Sequence, residues 1–182
     1  GGTPQFVNCL FYGNKAGEGA GIALHGGTPT FVNCTIVKNY AKIGYGGGLS
    51  DLGGKAIVRN CIFWDNVAIK GGSQILNSTS TPSTATYSNI NGGWTGTGNI
   101  NSDPTFTDSS NNNYTLQCSS QCKDAGVNSS PSLPDDVGDL DWDTKTSEAI
   151  PKELGVIARI GYGAVDMGAY EFQKPASAIS YA

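Results

Sequence analysis

Along the first 76 positions the apolar residues recur on a long period and not on a helical one. FVNCLFYGNKA starts at Phe6, FVNCTIVKNYA at Phe31 and VRNCIFWDNVA at Val58, which sets Cys9, Cys34 and Cys61 at intervals of 25 and 27 residues. Periods of about 20 to 50 residues mark solenoids, in which a unit too small to bury its own apolar face stacks that face on its neighbours. Within a unit, Phe6, Cys9 and Phe11 alternate with Val7 and Leu10 around a one-residue phase change at Asn8. That pattern predicts two short strands joined by a tight bend at Asn. The shared Asn14-x-Ala16, Asn39-x-Ala41 and Asn66-x-Ala68 then mark a turn, and GAGIALH, GGGLSD and GGSQIL each supply a third strand. Stacked coils of three short strands predict an all-β chain, a right-handed parallel β-helix of about three to four coils.

The pattern also predicts which residues stack inside the wall. The inward ladders are Phe6/Phe31/Val58, Cys9/Cys34/Cys61, Phe11/Ile36/Phe63, Ala16/Ala41/Ala68 and Ile22/Leu49/Ile75, each residue about 4.8 Å from its equivalent in the next coil. Two positions before the cysteine stand Val7, Val32 and Arg59, and the arginine turns that column outward. A weaker fourth coil lies in STATYSNINGG, with Ser88 and Asn89 expected where Asn and Cys stood before. The polar stretch 91–113 reads as loop, so the chain divides into coils over 1–90, a loop-rich cap over 91–172 and a tail over 173–182.

Composition supports this division. Gly is frequent at 26 residues, while charged residues make up only 14% of the chain. Such a chain favours turns and short strands over long amphipathic helices. The net charge is −4, split as +3 over residues 1–76 and −7 over 77–182. No basic stripe suggests a nucleic-acid partner. No apolar run is long enough to imply membrane insertion, and no basic and apolar leader opens the chain.

Three stretches carry a family resemblance: YSNINGGWTGTGNINSDPTF over 87–106, YTLQCSSQCKDAG over 114–126 and AVDMGAYEF over 164–172. With them the chain resembles bacterial secreted right-handed parallel β-helix proteins whose last coil runs into a choice-of-anchor segment. The resemblance implies an extracellular or cell-surface setting and a capped solenoid, but no single activity. DLDWDTKTSEAIPKELGVIARIGYGA departs from it, standing where the family carries a compact Asp-x-Asp-Gly-x-x-Arg.

Five features could carry chemistry. The asparagines Asn8, Asn33 and Asn60 read as a structural column at an internal bend, satisfying buried backbone groups, whereas Asn14, Asn39 and Asn66 read as outer turn positions. Cys9, Cys34 and Cys61 stack with parallel Cβ directions and read as buried filler. Cys118 and Cys122, in the polar CSSQC loop, read as a local disulfide, and the sole histidine, His25, is far from any thiol pair that could make a zinc site. Asp139, Asp141 and Asp143 begin like a calcium loop, but Thr144 and Ile150 break the spacing. They read as a solvated acidic loop or an irregular Ca2+ site, the one cofactor the sequence suggests. The outward column of Tyr12, Val37 and Trp64 offers either a sugar-stacking surface or a packing face for the returning C-terminal segment, with Lys38 and Asp65 beside it as an exposed ion pair. Asn-x-Ser/Thr sites stand at Asn33, Asn77, Asn113 and Asn128.

Polysaccharide cleavage would need a spaced carboxylate pair or a Ca2+-holding acid cluster with a basic residue. The coils hold only Glu18, Asp51 and Asp65, not grouped that way. The expected function is therefore a non-enzymatic extracellular structural module, a cell-surface or appendage building block whose partners are copies of itself joined head to tail. A carbohydrate-binding module, or a fragment of a polysaccharide-degrading β-helix enzyme, is the alternative, with polysaccharide as its partner.

Overall fold

The computed structural model describes residues 2–77, 82–128, 154 and 163–173. Its coils are parallel and in register. Strands β1 (Gln5–Val7), β5 (Thr30–Val32), β9 (Ile57–Arg59) and β13 (Thr84–Thr86) form the first sheet, in that spatial order. The second holds β2 (Leu10–Tyr12), β6 (Thr35–Val37), β10 (Ile62–Trp64) and β14 (Asn89–Ile90). The third holds β3 (Lys15–Ala16), β7 (Tyr40–Ala41) and β11 (Val67–Ala68), and the fourth β4 (Ile22–Leu24), β8 (Leu49–Asp51) and β12 (Ile75–Asn77). The molecule is a parallel β-solenoid of about three turns, as the periodicity predicts.

Each of the first three coils has four strands where the sequence suggests three. The turn lies one residue earlier than expected, at Gly13, Lys38 and Asp65, whose φ values of 65, 55 and 53° place them in the left-handed region. The Asn-x-Ala step after it is then free to extend. Its backbone bonds the next coil, Tyr40 N–H donating to Asn14 O at 2.8 Å and Val67 N–H to Asn39 O at 2.8 Å. The first bend falls at Asn8, Asn33 and Asn60, with φ of 53, 49 and 52°. Asn tolerates that conformation better than most residues, so one left-handed residue supplies the phase change between sheets.

Four of the five inward ladders follow from strand register, since Phe6 pairs Phe31, Phe31 pairs Val58, Phe11 pairs Ile36, Ala16 pairs Ala41 and Ile22 pairs Leu49, and the cysteines of the fifth pack in the same core. Like side chains lie flat on one another: the rings of Phe6 and Phe31 are 4.9 Å apart and 8° from parallel. Where the third sheet turns into the fourth, the coils approach too closely for side chains. A Cβ on Gly48 would fall 2.4 Å from the Gln74 carbonyl oxygen.

The fourth coil is displaced by one residue from its expected alignment. Tyr87, with φ of 47°, takes the bend, and Ser88 takes the cysteine position. Its Oγ accepts from Cys61 N–H at 3.0 Å, as Cys61 Sγ accepts from Cys34 N–H at 3.3 Å. The next stretch is no loose loop. Residues 92–100 fold back beneath the last coil, where Tyr87 N–H donates to Thr97 O at 2.8 Å, Ile90 N–H to Ile100 O at 3.0 Å, and Ile100 N–H to Ser88 O at 3.0 Å. Trp94 packs against the core there, closing that end. An antiparallel pair follows, β15 (Phe106–Asp108) and β16 (Asn113–Leu116).

Candidate functional site

Two surfaces of the solenoid lie outside the coil-to-coil contacts of the described residues. One is the outward face of the second sheet, and the other is the end formed by the first coil.

On the outward face, Tyr12, Val37 and Trp64 fall in one column by strand register. The column holds the cap. Val37 is fully buried, and Trp64 packs in a cluster with Ile62, Leu116, Cys122 and Met167. Tyr12 remains partly exposed, its ring 5.7 Å from that of the buried Tyr114, which meets Phe106 edge-on at 5.3 Å. The expected ion pair between Lys38 and Asp65 does not form among the described residues. The Lys38 ammonium instead donates to the Ser109 carbonyl and lies 5.8 Å from the Tyr114 ring centre. The cap offers it a desolvated carbonyl and an aromatic face, and a surface carboxylate offers little more than water does.

Asn8, Asn33 and Asn60 hold the bend as expected, whereas the stacked amides belong to the other asparagine column. The internal amide ladder is Asn14, Asn39 and Asn66. Asn39 Oδ1 accepts from both the backbone N–H and the Nδ2 of Asn14 at 3.0 Å, and Asn66 Oδ1 does the same for Asn39 at 3.0 and 2.9 Å. Their amide nitrogens donate onward to wall carbonyls, Asn39 to Phe11 O at 3.0 Å and Asn66 to Ile36 O at 2.8 Å. The Asn60 side chain serves the cap, accepting from Val127 N–H at 3.0 Å and donating to Val127 O at 3.1 Å. Side chains on a left-handed residue leave the wall at a different angle from those on the strands around it, and here that angle is outward.

Cys9, Cys34 and Cys61 are free thiols packed with the core, as expected of filler. They also bond backbone: Cys61 donates to Arg59 O at 3.1 Å and Cys34 to Val32 O at 3.3 Å. Burial and the neighbouring Cys61 thiol hold Cys34 well above the ordinary thiol range against the lowering effect of Cys9, and hydrogen bonding to Cys34 raises Cys9 most. The expected Cys118–Cys122 bridge is absent. Cys118 is exposed, whereas Cys122 is wholly buried and accepts from Asn89 Nδ2 at 3.0 Å. The turn sends the two sulfurs to opposite sides, one to solvent and one to the cap core.

The segment 163–173 straps the cap to the wall. Gly168 N–H donates to Asn60 O at 2.7 Å, Ala169 N–H to Thr35 Oγ1 at 3.0 Å and Met167 N–H to Cys122 O at 2.9 Å. Two buried carboxylates shape the strap. Asp166 accepts from Asp124 N–H at 2.7 Å and Phe172 N–H at 2.5 Å, and Glu171 accepts from Asp166 N–H at 3.0 Å. Sequence reading placed no role on Asn60 toward the cap, on Gln74 or on Trp94, since nothing in their local patterns distinguishes them.

Asp139, Asp141 and Asp143 lie outside the described residues. Among the described residues no group of three or more His, Cys, Asp or Glu side chains could hold a metal ion. His25 is exposed, Asn33 is buried, and the Asn77 side chain is bonded to the backbone of Ser83 at 3.1 and 3.3 Å. Asn113 and Asn128 are exposed.

At the first-coil end, β1, β2, β3 and β4 are the terminal strands of their sheets. Between β1 and β4 opens a cavity of about 690 Å³ whose floor and walls include Phe6, Ile22, Leu24 and Phe31. A second cavity, of about 660 Å³, lies at the last-coil end between Asn77, Ser83, Ala85 and residues 93–97, where Trp94 packs on the core.

No family model matches the chain, and neither a curated protein nor a solved structure does. The parallel solenoid rests on its own sheet order and register.

Proposed function

We propose that this chain is a non-enzymatic extracellular structural module, a building block that pairs through its first-coil end with the same end of a second copy. The edge of β1, a terminal strand among the described residues, carries this reading. Strand edges at the end of a sheet offer unpaired N–H and C=O groups to another chain. Thr30 N–H donates to Pro4 O at 2.9 Å and Asn8 N–H donates to Val32 O at 3.1 Å. In a parallel pair the facing groups alternate, so the backbone of Gln5 and Val7 points away from β5. Phe6, Ile22 and Leu24 border this edge only partly buried. Covering them would add apolar burial to the strand hydrogen bonds.

Residues 92–100 bond to the last coil at Tyr87, Ser88 and Ile90, while β11 and β12 are the terminal strands of their sheets, so the head-to-tail contact has a narrower edge to use at that end. Pairing like end with like end uses only the first-coil edge. It is isologous, and it closes at a dimer. The secreted, cell-surface setting rests on the likeness of the terminal segments to choice-of-anchor proteins.

Sedimentation velocity of the chain and of Val7→Pro tests the reading. Proline at an outward-facing edge position removes a donor needed for cross-chain pairing and none used inside the sheet. The expected result is a dimer for the chain and a monomer with unchanged circular dichroism for the variant. A chain that is monomeric at high micromolar concentration, or a dimer indifferent to Val7→Pro, refutes it.

A further inference from the structure

The outward face of the third sheet has no cover among the described residues. Ala16, Ala41 and Ala68 point inward, so the residues on either side of them in each strand point out. Register sets Lys15, Tyr40 and Val67 in one outward column and Lys42 beside Ile69 in the next. Ile43 and Tyr45 continue this surface around the corner, where Lys70 N–H donates to Gly44 O at 3.1 Å. The exposures are high: 63% for Ile43, 61% for Ile69, 50% for Val67 and 42% for Tyr45. These four are most of the exposed large apolar side chains among the described residues, gathered at one corner. Lys15, Lys42 and Lys70 flank them in sequence, and the acids nearby are Glu18, packed against Gly44, and Asp65, two residues before Val67.

Contiguous exposed apolar surface rimmed by charge marks an interaction site, whereas scattered apolar residues do not. We infer that this corner binds an acidic peptide segment with apolar side chains interleaved among its carboxylates. The patch presents β-branched and aromatic side chains flanked by three cations, which asks for apolar contact and negative charge in one extended ligand. The chain carries a sequence of that chemistry in 135–143, DDVGDLDWD, where Val137, Leu140 and Trp142 alternate with five aspartates. The inference is independent of the end-to-end pairing, because the corner lies on the side of the solenoid and not on its rim.

A synthetic fluorescent peptide of residues 134–145 is the probe, titrated by anisotropy into the chain and into a D135N/D136N/D139N/D141N/D143N variant. The variant prevents the chain's own segment from masking the patch. Saturable binding to at least one of them is expected, weakening severalfold when salt is raised from low to physiological strength. V67D/I69D should weaken binding at least tenfold, and K42E severalfold with a shallower salt dependence. Those positions are exposed, so the fold should persist by circular dichroism. Four results overturn the inference: no saturable binding to either protein, binding unchanged in V67D/I69D, equal binding of a peptide with Ser at 137, 140 and 142, or binding only to phosphatidylglycerol vesicles.

Discussion

The Gln74 side-chain oxygen lies 2.7 Å from Asn66 Nδ2, and its own Nε2 returns to Asn66 O at 3.1 Å. Gln74 thereby ends the internal amide ladder. Each asparagine above is satisfied by the next coil's asparagine, and the last has no successor, so a longer amide folds back from the same coil to take the place. Replacing Gln74 with Ala should cost about 1–3 kcal/mol, the penalty for leaving a buried amide donor unbonded. Asn39→Ala should cost more, because it strips partners from Asn14, Phe11 and Asn66 together. Urea denaturation of the two variants would check the order.

The buried thiols predict a loss of stability in alkali. Burial pushes Cys122 up to about 11 from an ordinary 9.0, against the lowering effect of its bonds with Asn89 and Ser120. A raised folded-state value means that the folded protein keeps a proton the unfolded chain releases. The contribution is thus whole below about pH 9 and drains away as pH climbs toward 11, at about 1.4 kcal/mol per pH unit for one group. Cys34 and Cys9 shift the same way and steepen the fall. Thermal melts from pH 7 to 11 would show it, and Cys122→Ser should flatten the curve.

Thiol accessibility should follow the same division. Cys118 is exposed and Cys122, Cys34 and Cys61 are buried, so alkylation of the native protein at neutral pH should label Cys118 first. Peptide mass spectrometry reads the site. Rapid labelling of Cys122 in the native protein would contradict its placement in the cap core.

Gly168 is the closest point of the strap to the wall. Its φ is +98°, and a Cβ there would lie 2.8 Å from both Ile62 Cδ1 and Thr35 Oγ1. Gly168→Ala should destabilise docking of 163–173 by about 1–3 kcal/mol through combined strain and overpacking. Limited proteolysis should then cut within the strap while the coils stay intact. Asn60→Ala, which removes both bonds to Val127, should open the neighbouring 124–128 segment in the same assay.

Trp64 distinguishes packing from ligand binding. Because its ring sits in the cap cluster with Leu116 and Met167, Trp64→Ala should lower stability by about 2–4 kcal/mol. A variant as stable as its parent would mean that the aromatic column does not hold the cap.

The repeat was legible because a parallel solenoid places like on like. Every wall position is filled three times by a residue facing the same neighbours, so Phe6/Phe31/Val58 and Phe11/Ile36/Phe63 could be aligned from spacing alone. The two asparagine columns could not be told apart in that way, since both recur on the same period. Which one faces inward depends on where the left-handed residue falls: Asn8, Asn33 and Asn60 occupy that conformation themselves, whereas Asn14, Asn39 and Asn66 directly follow the residue that does. The fourth coil misled for a related reason, because Ser88-Asn89 copies the polarity of Asn-Cys while the bend itself falls on Tyr87.

By itself, the sequence determined the period, the strand-rich coils and the inward ladders, all of which arise from short-range alternation repeated between adjacent coils. Tertiary structure alone decided what the outward groups meet. Asn60 binds Val127 and Thr35 binds Ala169 across 67 and 134 residues. No periodicity links such positions. They are chosen by shape and by polar groups the wall leaves over, and these exist only once the coils have stacked.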